Sequence, residues 1–250
     1  MIAYYLFSET SNPFHEQSRA NIKKLPHANK RYCLENFIRC FPNTTIMVLV
    51  DGIVDGTWEW LESVEAEHPN VILKKIHAGS MAKAFRTALE FIKELPENQV
   101  VGIVEDDWLF LPNRNVEQSI QDAIVYGDYI CPQTHPDKWM LPSEGGNAFV
   151  EQQNVSEITR IIKCPTNYWH ITNSCTCTFF TTRDTISEDW EEWMWGTADL
   201  INTLDFATFI RLRQEKERIV LQPIPTLATH CMVGLLAPLI GTGISSWEEV

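Results

Sequence analysis

Four short, nearly continuous apolar runs alternate with amphipathic segments in the first 110 residues, and this alternation restricts the possible folds most. The runs are Ile2–Phe7, Thr45–Val50, Val71–Ile76 and Val100–Val104. Apolar runs of this length are typical of strands that are buried on both faces of a parallel sheet. The sequence therefore predicts the α/β class.

Segments with helical periodicity separate these runs. Apolar residues recur at i, i+3, i+4 and i+7 from position 34 to 41, and a shorter helix begins at Trp58. The strongest pattern is Met81–Leu95, which begins after Gly79-Ser80 and ends before Pro96. Strand–helix–strand alternation implies right-handed βαβ units, so we expect a Rossmann-like sandwich with a mainly parallel central sheet.

The second half of the chain is less regular. Its expected elements are strands at Tyr129–Cys131, Ser174–Phe180 and Ile219–Ile224, a helix at Asp199–Arg213, and a long loop from Pro132 to Gly146. No linker divides the sequence, so we expect one domain over residues 1–250. Many α/β enzymes divide donor and acceptor binding in this way, here between about 1–110 and about 111–250.

The charge balance excludes one class of partner. Twenty Lys+Arg and 33 Asp+Glu side chains give a net charge of −13. Affinity for nucleic-acid phosphates requires a surplus of basic residues, so the charge argues against a nucleic-acid partner. An anionic ligand would require a metal ion or local hydrogen-bond donors to offset the repulsion.

The sequence favours a cytoplasmic location. The first apolar run is too short for a signal peptide and has no basic start. The uncharged stretch from Ile219 to Trp247 is interrupted by prolines and a glycine, so no membrane span is expected. Seven cysteines without regular spacing indicate reduced, mostly buried thiols.

Three consecutive acids follow the fourth apolar run. Glu105, Asp106 and Asp107 lie between that run and an apolar Trp-Leu-Phe segment. Alternation along an extended chain directs Glu105 and Asp107 to the same side. Such a pair can hold Mn²⁺ or Mg²⁺ through oxygen, and the cation can hold a diphosphate. The alternative is a solvated acidic turn at the edge of the sheet.

These segments together resemble a known family. A strand, His77-Ala78-Gly79-Ser80, the helix Met81–Leu95, and a strand ending in Glu105-Asp106-Asp107 are similar to the first half of GT-A glycosyltransferases, especially the family-2-like group. The three acids replace the DXD motif, and Phe85-Arg86 replaces the usual Arg-Asn pair. The resemblance covers about residues 1–110.

The resemblance implies a donor site and a metal site. Asp51, at the end of the second strand, would contact the base or ribose, although it could also simply cap the turn before Gly52. A late histidine often completes the metal shell in this family, and His230 is the candidate, with a structural histidine as the alternative. The implied metal ligands are Glu105, Asp107 and His230, and the implied donor contacts are Asp51, Gly79, Lys83, Arg86 and Asp106.

The resemblance also implies a general base in the second half if the enzyme inverts the sugar. Asp205 is the first candidate and Asp199 the second; the alternative is a surface acid on an amphipathic helix. A retaining enzyme would not need this base. Three tryptophans could line an acceptor groove, or the same helix could bury them against the sheet: Trp190, Trp193 and Trp195.

The function expected from the resemblance is metal-dependent transfer of a sugar from a nucleotide diphospho-sugar to a carbohydrate or other hydroxyl acceptor. A nucleotidyltransferase is a rival, but Ser8–Ser18 contains neither Gly nor Lys for a phosphate loop. A non-catalytic carbohydrate- or nucleotide-binding protein on the same fold is the other alternative. A basic segment could steer an anionic ligand or be a solvated face: Arg19, Lys23, Lys24, Lys30 and Arg31.

Overall fold

A computed structural model describes residues 1–10, 23–138 (apart from the side chain of residue 137) and 160–250. Arg19, most of Ser8–Ser18 and the loop expected from position 139 to Gly146 lie outside these ranges. The strands are β1 Ile2–Phe7, β2 Thr45–Val50, β3 Val71–Lys75, β4 Val100–Glu105, β5 Trp108–Phe110, β6 Tyr129–Ile130, β7 Ile161–Lys163, β8 Tyr168–Thr172, β9 Phe179–Thr182, β10 Val220–Ile224 and β11 Ala228–His230. The helices are α1 Lys30–Cys40, α2 Thr57–Glu67, α3 Met81–Lys93, α4 Val116–Ala123, α5 Arg183–Glu188, α6 Trp190–Gly196 and α7 Asp205–Lys216.

The central sheet has nine strands in the order β3-β2-β1-β4-β9-β6-β10-β8-β7. The pairings of β1 with β2 and β4, of β2 with β3, and of β6 with β10 are parallel. Of the nine strands described in this sheet, β9 and β8 run in the opposite direction to the other seven. The expected α/β class and mainly parallel central sheet are confirmed. A separate two-stranded sheet pairs β5 with β11.

The alternating side chains of β1 show that both faces of the sheet are covered. Tyr5 and Phe7 pack in an apolar cluster with α1, α2 and α4, whereas Tyr4 and Leu6 pack in a second cluster with α3 and α5 to α7. Burial on both faces explains why the first strands contain almost no polar positions. It also leaves the carboxyl ends of the strands as the place where polar residues accumulate.

The second half differs from expectation at several elements. β9 starts at Phe179, five residues later than the predicted strand, and α7 starts at Asp205 rather than Asp199. The helix starts late because the Asp199 carboxylate closes a turn by accepting hydrogen bonds from the backbone N–H groups of Ile201 and Asn202. The sequence patterns did not predict β5, β7, β8 or β11.

The tryptophan-rich segment forms α6 and contributes to the core. Trp193 is buried and its indole N–H donates to the Tyr129 hydroxyl at 3.0 Å, whereas Trp195 is exposed and lies beneath the Arg211 guanidinium. The interpretation of this segment as a helix packed against the sheet is therefore correct for Trp193.

The expectation of reduced thiols is wrong for one pair. Cys131 and Cys175 form a disulfide, with Cα atoms 6.0 Å apart. Sequence spacing could not reveal it, because the two residues are 44 positions apart and meet only through folding. The other five cysteines are free and buried.

Across the described ranges, none of the helices combines the length and the apolar character that crossing a membrane requires.

Candidate metal and donor site

The acidic turn lies between the central sheet and the small two-stranded sheet. β4 ends at Glu105, and Asp106 and Asp107 form the turn before β5. Both aspartates are buried, so each requires a partner to offset the loss of water. The structure gives the two side chains different partners.

Asp107 contacts two cationic or potentially cationic groups. Its Oδ2 atom lies 3.0 Å from Lys24 Nζ and 3.1 Å from His230 Nε2. Burial alone would raise the pKa of Asp107, but the His230 imidazole and the Lys24 ammonium outweigh it and hold the pKa well below its ordinary value. Asp107 is therefore a carboxylate at neutral pH and can bind a cation.

The two-stranded sheet brings His230 to Asp107. β11 pairs antiparallel with β5 so that His230 lies opposite Trp108, and the Cys231 N–H continues the ladder by donating to the Asp107 carbonyl at 2.9 Å. The His230 and Trp108 rings stack with centroids 5.7 Å apart. Backbone pairing and ring stacking thus fix the position of a histidine that lies 123 residues from Asp107 in sequence.

The residues of this site fit a divalent cation. His230 Nε2 is buried and, although close to Asp107, has no hydrogen-bond partner among the described residues. Burial lowers the pKa of His230, whereas the Asp107 and Glu105 carboxylates raise it overall. A buried nitrogen without a hydrogen bond beside a carboxylate oxygen matches the N and O donors that divalent cations accept. Within the described chain, however, no three His, Cys, Asp or Glu side chains form a complete metal-binding group.

Asp106 is tied to the ends of β1 and α1. Its Oδ2 atom accepts the Ser8 N–H at 2.8 Å and lies 2.9 Å from Lys30 Nζ. Burial raises the pKa of Asp106, the neighbouring Asp107 charge adds to this, and Lys30 opposes it. Asp106 therefore joins β4 to the start of α1, and its predicted donor contact stays a prediction.

A short loop connects Glu105 to the predicted base. The Glu105 N–H donates to the Thr178 hydroxyl at 3.0 Å, and the preceding residue, Cys177, donates its thiol to the Thr203 hydroxyl at 2.8 Å. The Asp205 carboxylate accepts the Cys177 backbone N–H. Burial raises the pKa of the Cys177 thiol, and the Asp205 and Glu105 carboxylates raise it further. The loop thus lies between the two acids.

Asp205 occupies the first position of α7, and its role as a general base stays a prediction. Burial raises its pKa, and the nearby His230 charge partly opposes that effect. His230 therefore interacts electrostatically with Asp205, Asp107 and Glu105, although these residues come from three separate segments: the acidic turn, the start of α7 and β11. Asp199, the second candidate, is exposed and caps a turn.

Asp51 is bound to the loop that precedes α3. Its two carboxylate oxygens accept the backbone N–H groups of Ala78 at 3.1 Å and Gly79 at 2.8 Å. Gly79 has φ +70°, a left-handed conformation, and a Cβ atom there would meet no heavy atom within 4 Å. Asp51 therefore fixes an open turn. Its remaining lone pairs could still accept from a base or a ribose, which stays a prediction.

The two basic residues of α3 have different surroundings. Lys83 is exposed near the helix start, whereas Arg86 donates to the Thr197 hydroxyl at 2.7 Å and to the Met194 carbonyl at 2.8 Å. Arg86 thus joins α3 to the end of α6. The donor contacts predicted for Lys83 and Arg86 stay predictions.

Two lysines contact the acidic turn, and the sequence did not decide their role. Lys24 and Lys30 belong to the basic segment for which steering of a ligand and a solvated face were both considered. Their spacing relative to the acids contains no signal, because 83 residues separate Lys24 from Asp107. Only the clustering of basic residues before α1 could have suggested their role.

Comparisons with known proteins return structural likenesses alone. No protein-family model matches the chain, and a search of curated proteins finds no match. Among solved structures, the chain is similar to the galactosyltransferase LgtC in complex with donor and acceptor sugar analogs, at 9% identity and a TM-score of 0.47, over 84% of this chain and 69% of that one.

The chain is also similar to two further solved structures. The inositol-1-phosphate CTP transferase from T. maritima matches 88% of this chain and 83% of its own, at 12% identity and a TM-score of 0.43. GalNAc-T7 with UDP, GalNAc and Mn²⁺ matches 99% of this chain, at 10% identity and a TM-score of 0.49. The chain spans 46% of that structure's length.

Proposed function

We propose that the protein is a glycosyltransferase that moves a sugar from a nucleotide diphospho-sugar to a carbohydrate or other hydroxyl acceptor. One observation carries the proposal: buried Asp107 and His230 are in contact, and Asp205 at the start of α7 lies within electrostatic reach of His230. The resemblance of β3, the Gly79 turn, α3 and the acidic turn to GT-A enzymes supports it.

Mn²⁺ or Mg²⁺ is the proposed cofactor. Asp107 and His230 would hold it, with Glu105 as the third candidate ligand, and it would neutralise the charge that develops on the leaving diphosphate. Two or three protein ligands leave coordination positions for diphosphate oxygens. Asp51 and the Gly79 turn are the proposed contacts of the nucleoside.

Asp205 is the proposed general base. Its carboxylate would accept the proton of the acceptor hydroxyl as that oxygen attacks the anomeric carbon, and the bond to the diphosphate would break. This role applies if the enzyme inverts the sugar. Asp199 is exposed and already accepts two backbone hydrogen bonds, so the geometry favours Asp205. A cytoplasmic location stays a prediction.

Thermal denaturation with a panel of nucleoside diphosphates tests the donor site. We expect UDP, GDP, CDP or dTDP with Mn²⁺ to raise the melting temperature by about 5–10 °C at about 100 times its Kd. Asp107→Asn should abolish the increase, because the neutral amide binds the cation weakly. Asp122→Asn on α4 removes the same charge outside the site and should retain it. A shift of equal size in both variants would refute the site.

A further inference from the structure

The Lys24 ammonium contacts the Asp107 oxygen that the proposed metal ion would need as a ligand. Its ammonium lies 3.0 Å from Asp107 Oδ2, and the same oxygen lies 3.1 Å from His230 Nε2. The carboxylate is thus already neutralised without a metal. Asp107 can bind a divalent cation through this oxygen only if the ammonium moves away.

The backbone, rather than the charge, holds Lys24 beside the site. Lys24 forms an antiparallel bridge with Met232, and the Leu25 N–H donates to the Cys231 carbonyl at 3.0 Å. The Val233 N–H donates to the Lys23 carbonyl at 2.8 Å on the other side of Lys24. The segment is therefore attached directly behind His230, and it stays there if the ammonium moves.

The two partners of the ion pair differ in freedom to move. The Lys24 side chain is 40% exposed, whereas the Asp107 side chain is 8% exposed. The partly exposed ammonium can return to water, and a bound divalent cation would then compensate the buried Asp107 carboxylate in its place.

We propose that Lys24 is a donor-binding residue that neutralises Asp107 only until metal and diphosphate bind. Its ammonium then leaves Asp107 Oδ2 and contacts the diphosphate, while its backbone keeps it in place. This inference rests on the proposed function. The charges favour it, because a diphosphate remains negative after binding one divalent cation and the chain carries a net charge of −13.

Two binding measurements on Lys24→Met test the proposal without turnover. The first is an EPR titration with Mn²⁺ alone, and the second is calorimetry with pyrophosphate in excess Mg²⁺. Methionine retains the chain length and removes the charge. Lys23→Met is the matched control, since Lys23 is exposed and adjacent, and Asp107→Asn reports on the metal site itself.

We expect opposite effects on the two ligands. Lys24→Met should bind Mn²⁺ several-fold more tightly, because the competing ammonium is gone. It should bind pyrophosphate about tenfold more weakly, because a charge-assisted hydrogen bond is lost. Lys23→Met should change neither constant by more than about twofold.

Three other outcomes would contradict the proposal. Equal Mn²⁺ affinities of Lys24→Met and Lys23→Met would overturn the competition for Asp107. An unchanged pyrophosphate affinity of Lys24→Met would overturn the contact with the diphosphate. If Mn²⁺ binds wild type and Asp107→Asn equally, the metal site of the proposed function fails, and this proposal fails with it.

Discussion

Asp106 and Asp107 are adjacent in the acidic turn, yet their contacts shift their pKa values in opposite directions. Burial raises the pKa of Asp106, whereas His230 and Lys24 outweigh burial at Asp107 and lower its pKa. The sequence identifies both acids but cannot separate them, because the partners lie far away along the chain. Individual residues of the site were thus predictable by type, while their protonation and pairing required the fold.

Asp205→Asn should separate catalysis from binding. If the carboxylate removes the acceptor proton, the variant should lose about 10²–10⁴-fold in kcat. Its Kd for Mn²⁺ and nucleoside diphosphate should stay within about twofold of wild type. Asp199→Asn should retain kcat within a few-fold, because that carboxylate only caps a turn. Larger loss in Asp199→Asn than in Asp205→Asn would reverse the assignment.

A second prediction for Asp205→Asn concerns the melting temperature of the metal-free protein. Burial raises the pKa of Asp205 in the folded state, so folded Asp205 binds its proton more tightly than unfolded Asp205. Stability is therefore lost as pH rises from the ordinary pKa of an aspartate through this raised value. At pH 7 Asp205→Asn should melt above wild type, and the difference should shrink below about pH 4. A lower melting temperature at pH 7 would contradict the burial argument.

Among the elements, the β5–β11 sheet contributes most to the site and was not predicted. Each strand has three residues, too few for a periodic pattern in the sequence. This pairing brings His230 to Asp107. The sequence thus indicated His230 only through a resemblance. The pairing of β5 with β11, which the sequence patterns did not predict, explains why His230 lies next to Asp107.

A buried ion-pair network links α5 and α6 to the start of β10. Arg218 donates to Asp189, which is completely buried, and also pairs with Asp128 and Glu188. Arg218→Met should lower the free energy of unfolding by about 3–5 kcal/mol, because Asp189 loses its principal partner. Urea denaturation with an unchanged m-value measures this loss.

The matched control for that network is Arg211→Met. Arg211 pairs with Glu215 one helical turn away, and the two side chains are 34% and 52% exposed, far more than Asp189. Its replacement should cost about 0–1 kcal/mol. Equal losses in both variants would show that Asp189 tolerates burial without Arg218.

Across the molecule, the predictability of the fold follows the kind of strand. β1 and β2 match their predicted bounds, since strands buried on both faces appear as uninterrupted apolar runs. β7 and β8 lie at the far edge of the sheet and alternate exposed and buried positions only briefly, so they were missed. The first 110 residues were therefore more predictable than the rest of the chain.

The net charge of −13 makes local cations important at the site. Lys24, Lys30 and His230 surround the acidic turn, so an anionic donor would meet positive groups there despite the acidic protein. The proposed function therefore requires that the acidic turn supports cleavage of a nucleotide diphospho-sugar and not only its binding.

Product analysis on a nucleotide diphospho-sugar distinguishes these possibilities most directly. With Mn²⁺ and no acceptor, wild-type protein should slowly release nucleoside diphosphate and free sugar as water replaces the acceptor. EDTA or Asp107→Asn should abolish the release. Formation of nucleoside monophosphate would indicate cleavage between the two phosphates instead of between the sugar and the diphosphate, and would contradict glycosyl transfer. Tight, metal-dependent binding without any release would identify a non-catalytic binding protein and contradict the proposed glycosyl transfer.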